Sequence, residues 1–154
     1  MRHWLMKSEP STFGIETLKA SPKRSTLWDG VRNYQARNML RDDFKRGDLA
    51  FFYHSSCAEP GIVGVVEVLV AGYPDPTAFI QSHAHYDPRS RRDAPRWYAV
   101  DVKLKHEFAR TIGLDELREQ PALADMLVLR RGNRLSITPV TPAEWACVLA
   151  LAGC

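Results

Sequence analysis

The chain has 154 residues, a length that fits one domain, and its 45% hydrophobic against 25% charged residues allow it to bury a core. That balance excludes collagen-like and disordered chains. The most apolar stretch, residues 62–73, carries Glu67 and two glycines and is far shorter than the roughly 20 residues of a membrane helix. A net charge of +3 is too small to name a partner by itself.

In chain order, residues 3–7 read as a short strand, closed by Glu9-Pro10-Ser11-Thr12, and residues 15–20 as a brief helix. Nothing at the start resembles a secretory leader. Asn33 is placed to cap a helix over 34–44. In it Ala36, Met39, Leu40 and Phe44 recur at helical spacing, while Arg37 and Arg41 occupy another face. Residues 49–53 form a strand apolar on both faces, and residues 62–70 a second one interrupted by glycine. Residues 97–104 alternate, which puts Trp97 with Asp101 and Lys103 on the polar face. A short helix at 114–119 and a strand at 134–140 follow. Thr141-Pro142-Ala143-Glu144 then starts a last helix with a capping box, and Trp145, Val148, Leu149 and Ala152 form its buried stripe. Strands in the middle with helices at both ends imply an α+β fold. The expected sheet is mixed and largely antiparallel, curls into a barrel flanked by helices, and makes residues 1–154 one domain.

Cys57, Cys147 and Cys154 are odd in number, widely spaced and without CxxC, which favours a reducing cytoplasm over a disulfide framework or structural zinc. Charge is distributed unevenly. Lys19, Lys23, Arg24, Arg32, Arg37, Arg41, Lys45 and Arg46 outnumber Asp29, Asp42 and Asp43, whereas residues 111–127 are acidic. With Arg89-Arg91-Arg92-Arg96 and Arg130-Arg131-Arg134, the basic clusters point to a polyanionic partner, although such clusters also occur as plain solvated faces.

Few enzymatic signals survive inspection. His54, Ser55, Ser56 and Cys57 are adjacent, but no G-x-S-x-G elbow accompanies them. His83, His85 and Asp87 lack the spacing of defined metal sites, and no glycine-rich phosphate loop exists, so neither metal nor nucleotide cofactor is expected. Aromatic residues in polar settings remain. Trp28 sits in a turn-like segment before a helix and Trp97 follows Pro95-Arg96. Each is readable as core packing or as a stacking platform for a base, a purine or a methylated lysine.

Trp4-Leu5-Met6-Lys7-Ser8-Glu9-Pro10, the run from Trp28 to Asn38 and Phe52-Tyr53-His54-Ser55 resemble the EVE domain family. So do Pro60-Gly61-Ile62-Val63-Gly64, Tyr73-Pro74-Asp75-Pro76-Thr77, Tyr86-Asp87-Pro88, Pro95-Arg96-Trp97-Tyr98 and the run from Leu129 to Ser136. The blocks keep the family's order from residue 4 to about residue 145. Residues 83–85, His-Ala-His, depart from the polar and aromatic residues such domains more often carry there. The resemblance implies a PUA-like fold and a non-catalytic reader that holds a modified base of DNA or RNA in an aromatic pocket. On that basis Trp28 and Trp97 are the walls and Lys7, Ser8 and Glu9 the floor. Asn33, His54 and Ser55 touch polar edges, Tyr86, Asp87 and Pro88 close one side, and Arg37, Arg130 and Arg131 meet phosphate. The expected partner is nucleic acid, with no cofactor, no membrane and no identifiable protein partner. The alternatives are a small hydrolase or transferase using His54 and Ser55, and a binder of free nucleobases or similar metabolites.

Overall fold

A computed structural model describes residues 2–154. Its strands are β1 (His3–Ser8), β2 (Ser25–Trp28), β3 (Leu49–His54), β4 (Gly61–Pro74), β5 (Tyr98–Gly113) and β6 (Ile137–Val140). They form one six-stranded sheet in the order β2-β5-β4-β3-β1-β6. Among the described residues only β1 and β3 run parallel, with Trp4 opposite Ala50 and Lys7 opposite Tyr53. The other pairings are antiparallel.

The α+β class stands, but the sheet does not close into a barrel. Its edge strands, β2 and β6, are four residues each and lie at opposite ends of the order. Pro139 removes a donor from β6, as suits an edge. Closure is not needed to bury the sheet, because each face has its own cover. Trp4 and Met6 of β1 and Ala50 and Phe52 of β3 point into one core, with Ile15 and Leu18 of α2 (Ile15–Ala20) and Ala36 of α3 (Tyr34–Asn38). Leu5, Phe51 and Tyr53 alternate onto the opposite face. There they meet Leu117 of α4 (Leu114–Arg118) and Trp145 and Val148 of α5 (Pro142–Leu151), with Trp145 stacked on Phe51 at 3.9 Å. The strand expected to be apolar on both faces is so because two cores flank it. The capping box of α5 forms as its sequence predicts, with Thr141 and Glu144 exchanging hydrogen bonds.

The helix expected over 34–44 splits. Beyond Asn38 the chain widens into a π turn, Met39–Asp43, whose backbone lies against β4. Gly72 permits that approach, since a Cβ there would stand 2.4 Å from the Leu40 carbonyl oxygen. β4 and β5 also run well past their expected ends and absorb the extra length in bulges. No helix among the described residues is long and apolar enough to cross a membrane.

Candidate nucleic-acid interface

A cleft of about 810 Å³ is lined by the end of β1 and by β2. Lys7, Ser8 and Glu9 supply one side, with Thr12 and Phe13 of the short helix α1 (Pro10–Phe13) beside them. Thr26, Leu27 and Trp28 of β2 supply another, and Asp29, Gly30, Thr77 and residues 83–85 form the rim. The size is that of small-molecule sites in general.

Trp28 is both wall and core. It lines the cleft, is only 8% exposed, and meets Phe52 edge to face at 5.5 Å. Lys7 is half-buried, and burial pushes its ammonium below the usual lysine range. That ammonium lies 6.0 Å from the centre of the Tyr53 ring, and the Ser8 hydroxyl donates to the Phe13 carbonyl at 2.6 Å.

The rim is organised by Asp75, which is fully buried. Its carboxylate accepts from the Gly30 amide at 2.9 Å, from Arg32 Nη1 at 2.9 Å, and from the amide and hydroxyl of Thr77 at 2.8 and 2.6 Å. Burial by itself raises this carboxyl, but the bonds from Thr77, Gly30 and Arg32 outweigh it and hold the group below the usual range. The other end of Arg32 donates to the His85 carbonyl at 2.6 Å, so one side chain ties the turn after β2 to residues 83–85. Gly30 has φ +76°, and a Cβ there would stand 2.4 Å from the His85 ring. Only glycine lets the imidazole lie over the turn.

The expected site residues divide into two groups. Lys7, Ser8, Glu9 and Trp28 line the cleft. Trp97 stands outside it: its ring is stacked on Tyr34 at 4.8 Å, covered by the Arg32 guanidinium at 5.3 Å, and its indole N–H donates to Asp87 at 2.6 Å. Among the described residues, Tyr34, Arg32 and Asp87 engage the stacking and hydrogen-bonding groups of Trp97, and it does not line the cleft opposite Trp28. Asp87 is consumed by the same bond and by the Arg89 amide, which hold its carboxyl below the usual range. Tyr86 and Pro88 are exposed beside it and do not line the cleft. Asn33 caps α3 by accepting from the Ala36 amide. His54 Nε2 accepts from the Ile15 amide at 3.1 Å, and burial pushes its pKa down. Ser55 donates its amide to the Ser8 carbonyl, so this loop braces the cleft from behind. Arg37 is held by the Arg96 carbonyl and lies over Tyr34, whereas Arg130 and Arg131 are exposed.

Asp29, His83 and His85 were not foreseen as a group. Their candidate ligand atoms lie within 4.8 Å of one another, and Asp29 takes the place that spacing alone offers to Asp87. His83 Nδ1 accepts the His85 amide at 3.0 Å, which leaves the ring proton on Nε2. Metal ligation through Nε2 would have to break that bond.

The exposed basic residues adjoin the cleft walls in sequence or through the sheet. Lys23 and Arg24 precede β2, and Arg89, Arg91 and Arg92 follow the rim. Arg130, Arg131 and Arg134 lead into Ser136, whose carbonyl accepts from the Lys7 amide at 2.8 Å.

The family model described as the EVE domain matches residues 2–151. The chain belongs to the EVE domain family. This EVE domain is 47% identical to human thymocyte nuclear protein 1 over 97% of its own length and 73% of that protein's. Among solved structures, human THYN1 in complex with DNA containing 5-methylcytosine superposes with a TM-score of 0.93 at 46% identity, covering 99% of this chain and 98% of that one. A protein from Pseudomonas syringae matches with a TM-score of 0.92 at 43% identity, covering 97% and 99%.

Proposed function

We propose that this EVE domain is a non-catalytic reader of modified bases in DNA, with 5-methylcytosine as its first candidate. The observation that carries the reading is the likeness, over nearly all of both chains, to human THYN1 crystallised with DNA containing 5-methylcytosine. The cleft supports it independently. An extruded base needs one aromatic plane and a few polar groups at its edge, and the cleft joins Trp28 to Lys7, Ser8 and the exposed Glu9. The basic residues around the walls suit the flanking phosphates. A hydrolase centred on His54 and Ser55 is disfavoured, because the His54 lone pair is spent on the Ile15 amide and the loop lies outside the cleft.

The test is fluorescence anisotropy with matched DNA and RNA oligonucleotides carrying cytosine, 5-methylcytosine or 5-hydroxymethylcytosine. The expected result is tightest binding to modified DNA, with log K falling against log salt at a slope of about −2 to −5 for three to five phosphate contacts. Equal affinity across the panel overturns base reading, and a flat salt plot overturns phosphate contact.

A further inference from the structure

We propose that Tyr86 is a wedge that enters the stack of duplex DNA beside the cleft and fills the gap left by the extruded base. The inference rests on the assignment of the cleft to a base of DNA, and it gives a role to a residue that the cleft itself does not use. Among the described residues, the large apolar side chains left exposed are Tyr34, Val70, Ile80 and Tyr86. Two of these four belong to one short segment, residues 80–86, which also carries the rim residues His83, Ala84 and His85. Tyr34 is engaged, since its ring is stacked on Trp97 at 4.8 Å and has the Arg37 guanidinium over it at 4.9 Å. Val70 belongs to β4 and does not line the cleft. Tyr86 is 38% exposed and stands one residue, about 3.8 Å of backbone, beyond His85.

The backbone on both sides of Tyr86 is fastened. Its own amide donates to the His83 carbonyl at 3.0 Å and the His83 amide to the Ile80 carbonyl at 2.9 Å, so the segment runs through two successive turns. Arg32 holds the His85 carbonyl at 2.6 Å. On the other side the Asp87 amide donates to the Ala78 carbonyl at 3.0 Å, and the hydroxyl of the buried Ser90 accepts from the Arg96 amide at 3.1 Å. A side chain carried on such a frame gives up little backbone freedom when it enters a ligand. The charge nearby selects the ligand. Arg89, Arg91 and Arg92 are exposed just beyond Tyr86, followed by Asp93, which pairs with Arg91 at 3.1 Å. An apolar tip with arginines beside it suits a base stack flanked by phosphates, where the tip parts a base step and the cations hold the backbone. Extrusion of a base leaves its former neighbours unstacked. An aromatic ring in the gap restores that contact.

The experiment measures fluorescence anisotropy of two labelled DNA probes with one 5-methylcytosine in the same sequence, a duplex and its single strand. Only the duplex has a paired stack to open. Tyr86→Ala is expected to weaken duplex binding about 5- to 150-fold and single-strand binding by no more than about twofold, with the salt slope on the duplex unchanged. Tyr86→Phe keeps the aromatic plane and should hold duplex affinity within about twofold of wild type. Circular dichroism checks that each variant is folded. If the wild type binds cytosine and 5-methylcytosine probes alike, base reading fails, while a loss confined to the duplex in Tyr86→Ala still supports the wedge. If the wild type prefers the modified base and Tyr86→Ala weakens neither probe, or both equally, the wedge is overturned and base reading stands. Unchanged duplex affinity together with lost self-association in sedimentation would make this loop a contact between copies of the chain, which also overturns the wedge. No binding of either probe overturns both readings.

Discussion

Trp28 and Trp97 sit in similar polar words of the sequence, yet the fold uses them in opposite ways. Trp28 ends the edge strand β2, buries one edge against Phe52 and keeps a surface on the cleft. Trp97 precedes β5 and has Tyr34, Arg32 and Asp87 gathered around it. What separates an available indole from an engaged one is the set of neighbours folding brings to it, since both are almost equally buried, at 8% and 7% exposed. The first lines the cleft; the second holds α3 and the loop containing Asp87 together.

The sharpest way to break this comparison is Trp28→Ala. Because the indole is wall and core at once, the variant should lose about 3–5 kcal/mol of stability, and base affinity should drop about 5- to 150-fold. Denaturant unfolding and anisotropy on the folded fraction read the two separately, and Trp28→Phe should recover most of the stability. Asp75→Ala should cost about 3 kcal/mol or more, since it leaves Arg32, Gly30 and Thr77 without their shared acceptor. This carboxyl titrates below its unfolded value, so its contribution is present above about pH 4 and is lost as pH falls through the folded value. Thermal unfolding below about pH 4 should therefore weaken the wild type more than the variant. Trp97→Phe is the mildest. It keeps an aromatic ring beside Tyr34 and gives up one hydrogen bond to a carboxylate, costing about 1–2 kcal/mol while base affinity stays within about twofold. A large loss of base preference in this variant would restore Trp97 to the pocket.

Local pattern made most elements legible: the apolar run of β3, the alternation of β5 and the capping box of α5 are local properties, and they appear in the structure. β2 escaped because its four residues are too few to show a period and its surroundings read as turn. The barrel expectation failed for a related reason, as residue patterns report which faces are apolar but not how the ends of a sheet lie. In the cleft, Lys7, Ser8, Glu9 and Trp28 were visible through a family resemblance. Asp29, Asp75 and the two histidines meet only through pairings across more than 40 residues, such as Gly30 with Asp75, and no local signal marks them.

The place of β1 has a kinetic consequence. One of its sides is held by β3 and the other by β6, where Met6 faces Ile137 across about 130 residues of chain, the kind of contact that slows folding. During synthesis, the Lys7 wall must wait for the last strand to emerge before its backbone is paired on both sides. Until then β1 is an apolar strand with an open edge, a template for wrong pairing. A nascent chain stalled before Ile137 should therefore aggregate or recruit chaperones, with its cleft still unassembled.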